Sequence, residues 1–239
     1  MGQRRALPSL TSGRAWPCPT NFCLRCSACA RHQDGVAFYK RRLPHWQPEG
    51  ADFFVTWRLY GSLPHGLKPF DDGGWRRMAL PHGNSPLLLP SASPGMAFAA
   101  VDRRLDRAAK GPLWLRNPQV AECVSEILLL GAGQWRLYEL LAWVIMANHV
   151  HVLMRPTVPL KKALMNVKSA SARAANAILG RTGEHFWQDE SFDRWMRNDR
   201  ERARAIGYIE YNPVSAGLAA TPEQWPWSSA GWRRRVQAS

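Results

Sequence analysis

The 239-residue sequence is short of acidic residues, with 18 Asp and Glu against 32 Lys and Arg, which gives a formal net charge of +14. Such an excess of positive charge favours a polyanionic partner, most simply a nucleic acid. Long apolar runs are also missing: none approaches the roughly 20 residues of a membrane helix, and the start of the chain lacks a signal-peptide core. We therefore expect a cytoplasmic protein with no membrane partner.

Cysteine is scarce, and four of the five cysteines crowd into one short stretch near the start of the chain. In a reducing cytoplasm we expect them to be thiols. Cys18, Cys23, Cys26 and Cys29 could hold zinc or an iron–sulfur cluster, but the longer loop of a zinc ribbon and a well-placed fourth cluster ligand are absent. We interpret residues 1–35 as a disordered extension rich in Cys, Arg and Pro, or as an over-long gene start.

The rest of the chain predicts one domain over residues 36–232, followed by a basic tail at 233–239. Residues 61–98 are rich in Gly and Pro and predict a long loop inserted in this domain. Residue patterns predict strands within 51–60, 135–146, 149–156 and 191–196, and helices within 97–110, 117–133, 160–181 and 199–212. Because these elements mix without a repeated βαβ rhythm, we expect an α+β fold with an antiparallel sheet.

Two histidines stand one residue apart in the otherwise apolar stretch MANHVHVLM. In a strand, residues i and i+2 face the same side, so His149 and His151 would present two parallel imidazoles while Val150 and Val152 point into a core. A half-exposed strand would explain such a pair without any function. Neutral imidazole is also the commonest side-chain metal ligand, so the pair could be half of a metal site.

The helix over 199–212, which we expect to end at Pro213, carries the groups that such a site would need. Tyr208 and Asn212 are four residues apart and share a face. A tyrosine hydroxyl beside a divalent cation can attack a phosphate, and an Asn oxygen suits Mg²⁺ or Mn²⁺. Tyr211 is the rival nucleophile, but it lies about 100° around the helix from Asn212. From spacing alone, Tyr208 could be a core residue and Asn212 a helix end.

Two groups of basic residues could contact phosphates. The predicted helix over 160–181 has an apolar stripe from Leu160 to Ile178, and its other faces carry four cations, namely Lys161, Lys162, Lys168 and Arg173. The C-terminal sequence WRRR adds Arg233 and Arg234. Such faces are usually only solvated, but on so basic a chain phosphate contact is an equal alternative.

Five segments occur together in an order that resembles the single-tyrosine HUH transposases, most closely the REP-associated tyrosine transposases: RRLPHWQPEGADFFVTWRL, MANHVHVLM, FWQDESFDRWMRND, YIEYNPVSAGL and WPWSS. The resemblance covers roughly residues 38–230. It implies a ferredoxin-like α+β core with a central antiparallel sheet flanked by helices. It also implies that His149 and His151 bind a divalent metal (Mg²⁺ or Mn²⁺), that Asn212 completes this site, and that Tyr208 is the nucleophile.

The implied activity is metal-dependent cleavage and rejoining of single-stranded DNA through a 5′-phosphotyrosine, at hairpin-forming repeats. Ala147 stands where the family usually has Pro, and SFD stands where SYD or YYD is commoner; neither departure touches this chemistry. Two other functions stay open: a domesticated sequence-specific DNA-binding protein with little or no catalysis, and a His-x-His metallohydrolase of the barrel type. Both a monomer and a homodimer are compatible with the sequence.

Overall fold

The computed structural model describes residues 36–40, 44–48, 50–63, 105–106 and 111–238. The cysteine-rich stretch within residues 1–35 and the predicted loop from residue 64 onward lie outside these residues. Of the helix predicted over 97–110, the description covers Leu105 and Asp106, and both are helical. Strands β1 (Val36–Lys40) and β2 (Pro44–Pro48) pair antiparallel in a sheet of two strands.

The main sheet has four strands, β3 (Phe53–Arg58), β4 (Tyr138–Ile145), β5 (His149–Pro156) and β6 (Phe192–Trp195). The helices are α1 (Pro118–Ala132), α2 (Leu160–Leu179), α3 (Asp199–Ser215) and α4 (Ser229–Gln237), with short 3₁₀ turns at Trp114–Arg116 and Pro222–Gln224. In the described part of the chain, no helix combines the length and the apolarity needed to cross a membrane.

The strand order across the main sheet is β4-β5-β3-β6, and all neighbouring pairs are antiparallel. Along the chain these strands alternate with helices as β3-α1-β4-β5-α2-β6. This is the β-α-β-β-α-β arrangement of ferredoxin-like folds. The predicted α+β class and ferredoxin-like core are confirmed, and an open sheet of this kind is not the frame of a barrel-type metallohydrolase.

Alternation along the strands gives this sheet two unlike faces. On the face that we call the core face, Trp57, Val150 and Val152 belong to the same buried apolar cluster as residues of α1 and α2. On the opposite face, which we call the site face, Phe54 belongs to a smaller cluster with Ile209 of α3. The histidines alternate with the valines along β5 and therefore lie on the site face.

The edge strand β4 is covered by the WPWSS segment near the end of the chain. The Ile145 amide donates to the Trp227 carbonyl at 2.8 Å, and the Trp225 indole donates to the Ile145 carbonyl at 2.9 Å. Ser228 then caps α4 by accepting from the Gly231 amide at 3.0 Å. These bonds satisfy backbone groups that an edge strand would otherwise expose.

Helix α3 begins as expected, with the Asn198 side chain accepting from the Glu201 amide at 2.9 Å. It does not end at Pro213, as the sequence predicted, but continues to Ser215. Pro213 lies within the last turn, where its missing N–H costs a single backbone bond, and its own carbonyl accepts from the Leu218 amide at 2.8 Å. Asn212 therefore stays inside regular helix rather than at a helix end.

Helix α2 is shorter than predicted because Gly180 adopts the left-handed conformation, with φ of 67°, and terminates it after Leu179. The predicted apolar stripe is correct up to Ser171 and then turns toward Ala175. Ile178, assigned to the stripe from the sequence, is instead 40% exposed.

Candidate active site

Two imidazoles converge inside the site face. His149 and His151 are both 0% exposed, and their Nε2 atoms lie 3.1 Å apart. Two unprotonated Nε2 lone pairs at this distance repel each other, so the arrangement requires a proton or a cation between them. A pair of ring nitrogens aimed at one point is the geometry that two histidine ligands adopt around a metal.

The other nitrogen of each ring has a partner that fixes the ring. Asn148 Nδ2 donates to the Leu105 carbonyl at 3.0 Å, so its Oδ1 is the atom that faces His149 Nδ1, at 2.8 Å. That contact requires the proton of a neutral His149 to be on Nδ1, which leaves Nε2 free to ligate. Thr56 Oγ1 lies 2.7 Å from His151 Nδ1 and can hold that ring in the same tautomer.

Helix α3 carries Tyr208 and Asn212, and its tyrosine packs against His151. The Tyr208 ring centroid lies 5.7 Å from that of His151 and 6.0 Å from that of Phe54, and the side chain is 41% exposed. Tyr208 therefore contacts the buried His151 ring, and its side chain is accessible to a ligand from solvent. Tyr211 is 55% exposed and lies about 100° around α3 from Asn212.

The environment of Asn212 suits a ligand to a cation. It is 3% exposed, and its Oδ1 has no hydrogen-bond donor among the described residues. A buried amide oxygen without a donor costs on the order of 1–3 kcal/mol, which coordination of a cation would offset. In the described ranges, no three His, Cys, Asp or Glu side chains already lie in a complete metal-binding arrangement, so the two histidines need a further ligand. The candidate set of His149, His151 and Asn212 therefore depends on the amide.

Four residues near the histidines were not identified from the sequence: Thr56, Arg58, Asn148 and Asp106. Thr56 and Arg58 pair with His151 and His149 in the β3–β5 register. The sequence predicted both strands, but only their register shows that these residues are neighbours. Asp106 Oδ1 lies 3.6 Å from His149 Nε2. Its segment is remote in sequence, and no spacing rule connects it with the histidines.

Arg58 adds positive charge on this face of β3. Its Nη1 donates to Ser62 Oγ at 3.2 Å. Partial burial lowers the pKa of the Arg58 guanidinium. Because the pKa of an ordinary arginine lies far above neutral pH, the group stays protonated at neutral pH. A permanent cation in this position suits an anionic ligand.

The structure separates the basic residues predicted on α2 from the histidines. Lys161, Lys162 and Arg173 are exposed on α2, which packs against the core face. They therefore lie on the opposite side of the sheet from His149 and His151. Their contact with DNA stays a prediction, but any such contact is remote from the histidines.

Lys168 and Arg233 have partners within the protein. The Lys168 ammonium donates to the carbonyls of Gln188 and Asp189 at 2.7 and 2.9 Å, so it fixes the segment before β6. Arg233 donates to Glu210 at 2.7 Å and ties α4 to α3, while Arg234 is exposed. Of the six predicted phosphate contacts, these two thus have clear structural roles.

A second basic stripe, missed in the sequence, leads directly to the tyrosine. Arg200 and Arg204 are exposed on α3 and precede Tyr208 by eight and four residues. Residues four apart lie on neighbouring turns of one helix face. The same spacing that relates Tyr208 to Asn212 could have identified these two arginines.

Comparison with known proteins agrees with these features. Residues 115–212 match the family model described as "Transposase IS200 like". A protein of Haemophilus influenzae assigned to the REP-associated tyrosine transposases is 28% identical over 112 residues, which are 42% of this chain and 62% of the relative. The resemblance found in the sequence is thereby confirmed, and the chain spans less than two thirds of that relative.

Two solved structures are also similar. A REP-associated tyrosine transposase bound to a REP hairpin aligns with a TM-score of 0.45 and 15% identity, over 83% of this chain and 84% of the other. A crystal structure of a Deinococcus radiodurans protein assigned as a transposase aligns with a TM-score of 0.30 and 15% identity, over 67% of this chain and 89% of the other.

Proposed function

Because residues 115–212 match the IS200-like transposases, we propose that this protein cleaves and rejoins single-stranded DNA through a covalent bond between Tyr208 and a 5′-phosphate. The observation that carries the proposal is the placement of an exposed tyrosine ring 5.7 Å from a buried histidine whose Nε2 converges with that of a second histidine. An exposed nucleophile and a buried pair of ligands together make a site for an anionic ester that approaches from solvent.

The proposed reaction is an exchange of phosphodiester bonds. Tyr208 Oη attacks the scissile phosphorus and loses its proton to solvent, and the bond to the 3′ oxygen breaks to leave a 3′-hydroxyl. A divalent cation, Mg²⁺ or Mn²⁺, held by His149, His151 and Asn212 would supply polarisation of the phosphate. The phosphotyrosine conserves the bond energy, so attack by a 3′-hydroxyl rejoins the strand without ATP.

The substrate that we propose is a single strand beside a folded hairpin. A tyrosine on a helix that covers a sheet cannot easily reach an in-line position on a stacked duplex strand, whereas a single strand exposes its phosphates. Arg200 and Arg204 would guide that strand to Tyr208, and Arg58 would face the phosphate. The remote cations, Lys161, Lys162, Arg173 and Arg234, would hold the stem or its flank. We propose that the protein acts on this DNA in the cytoplasm.

The test is formation of a covalent protein–DNA adduct on a hairpin with a single-stranded flank, with Mg²⁺ or Mn²⁺ present. We expect Tyr208→Phe to abolish the adduct and retain binding, whereas Tyr211→Phe, the matched control on the same helix, forms it normally. EDTA should abolish cleavage. An adduct that survives Tyr208→Phe, or cleavage that proceeds fully in EDTA, contradicts the proposal. DNA binding without any adduct in the unmodified protein would favour the non-catalytic alternative.

A further inference from the structure

Asp106 lies at the histidine pair but outside the segment that matches the transposase family model, which begins at residue 115. Its Oδ1 is 3.6 Å from His149 Nε2, and its side chain is 19% exposed. From this geometry we infer that Asp106 supplies a carboxylate ligand to the cation held by His149, His151 and Asn212. The inference rests on the proposed function, because it concerns the same cation.

The nitrogen that Asp106 approaches decides which role the carboxylate can have. A carboxylate that merely orients a ligating histidine binds the nitrogen that faces away from the metal. In His149 that nitrogen is Nδ1, and Asn148 occupies it at 2.8 Å. Asp106 approaches Nε2 instead, the atom that also faces His151 Nε2. The carboxylate is therefore on the metal side of the ring.

The distances fit neighbouring ligands around one ion. Ligands about 2.1 Å from a metal and at right angles to each other are about 3 Å apart. His149 Nε2 lies 3.1 Å from His151 Nε2 and 3.6 Å from Asp106 Oδ1. A small shift of the carboxylate would bring its Oδ1 to the spacing from His149 Nε2 that neighbouring ligands of one cation have.

Charge gives a second reason for a carboxylate here. Two neutral imidazoles and an amide carry no net charge, and the two histidines are 0% exposed. Placing a divalent cation in such a buried site costs free energy of desolvation unless an anion compensates. Mg²⁺ in particular is bound in proteins through one or two carboxylates. Asp106 would supply the anionic ligand that the set otherwise lacks.

The position of Asp106 is also fixed by the histidine motif itself. The carbonyl of the preceding residue, Leu105, accepts from Asn148 Nδ2, and the Oδ1 of the same amide faces His149. Leu105 is 2% exposed and helps to anchor the segment. The Asn148 side chain thus connects the backbone next to Asp106 with the ring of His149. One amide therefore helps to position both of these residues.

The experiment is calorimetric titration of the full chain with Mn²⁺ alone, without DNA. We expect Asp106→Asn to weaken Mn²⁺ binding by at least about tenfold, as the loss of a charged ligand should cost no less than the loss of an outer-shell partner. The matched control is Asp189→Asn, which removes the same charge from an exposed residue tied by its backbone to Lys168 of α2. It should bind Mn²⁺ like the unmodified protein.

The outcomes separate the two proposals. Unchanged Mn²⁺ affinity in Asp106→Asn overturns this inference alone, and absence of Mn²⁺ binding in the unmodified protein overturns both. Equal melting temperatures without metal establish that the variant folds. A measurement that needs no variant is Fe²⁺-directed cleavage of the unmodified chain: cuts beside both residue 106 and residues 149–151 support the inference, and cuts confined to 149–151 overturn it.

Discussion

The two faces of the main sheet are formed by the same strands, but they bury different kinds of side chain. Along β5, Val150 and Val152 belong to the large apolar cluster shared with α1 and α2, while His151 contacts Tyr208 of α3 on the other face. The core face buries apolar side chains, whereas the site face buries two imidazoles. Helix α3 adds the buried Asn212 Oδ1, which has no donor in the described part of the chain. Residues next to each other on one strand therefore contribute either to the stability of the fold or to the candidate site. Variants at adjacent positions should change either the free energy of unfolding or cleavage, but not both.

The largest effect is expected from substituting neighbours on β5. His151→Ala should abolish cleavage and the rise in melting temperature that Mn²⁺ produces, because it removes a ligand. Val152→Ala should instead lower the free energy of unfolding by about 2 kcal/mol through loss of buried methyl groups. Cleavage and the Mn²⁺ response should survive in Val152→Ala below its melting temperature. Loss of the Mn²⁺ response in both variants would show that the faces are not separable.

Thr56→Val tests the outer shell of the site with nearly the same side-chain volume. It removes the oxygen that lies 2.7 Å from His151 Nδ1. Mn²⁺ affinity should fall by about 10- to 100-fold, the usual cost of losing such a partner. Val55→Thr places a hydroxyl on the core face of the same strand and should reduce stability instead. Calorimetry and thermal melting, performed on both variants, distinguish these effects; unchanged affinity in Thr56→Val would contradict the assigned tautomer.

The basic residues on the two sides of the sheet should differ in how they affect cleavage. Arg200→Gln with Arg204→Gln, and separately Lys161→Gln with Lys162→Gln, each remove two charges. Where both charges contact a single strand, the slope of log affinity against log salt should fall by roughly 1.4. We expect the α3 pair to reduce the cleavage rate at saturating DNA and the α2 pair to reduce affinity only. Equal effects on the rate would mean that distance from Tyr208 is irrelevant.

The smallest effect concerns a polar group buried on the core face. Tyr138 donates to the Leu128 carbonyl at 2.8 Å, and burial raises the pKa of its phenol above the usual range. The folded protein thus holds this proton after the unfolded chain releases it near pH 10, so the stabilisation is present below that pH and declines above it. Tyr138→Phe should cost about 1 kcal/mol at neutral pH and weaken the decline above pH 10. Denaturant titrations at neutral pH and above pH 10 measure the free energy of unfolding of both proteins. An equal decline in Tyr138→Phe and the unmodified protein would contradict this account.

The sequence predicted the features that depend on local period. The i, i+2 spacing of His149 and His151 and the i, i+4 spacing of Tyr208 and Asn212 fix shared faces without knowledge of the fold. The Asn117–Pro118 helix start was predicted by the same kind of rule, and the Asn117 side chain does accept from the Gln119 amide.

Other features depend on topology, which spacing does not encode. An amphipathic pattern shows that α2 has a basic side, but only the strand order shows that this side lies across the sheet from the histidines. Asp106 reaches His149 through a contact between distant segments, so no local pattern could identify it. The sequence predicts that α3 ends at Pro213. The structure places Pro213 within the last turn of a helix that continues to Ser215, and no local pattern shows this extension.

The central claim is that Tyr208, on the site face, becomes bonded to DNA. The most direct measurement is to trap the unmodified protein on a hairpin with a single-stranded flank in Mn²⁺, digest the adduct, and map the modified peptide by mass spectrometry. The account predicts a nucleotide attached through phosphate to Tyr208 and to no other residue. A nucleotide on Tyr211, or strand cleavage that leaves no modified tyrosine, would contradict it.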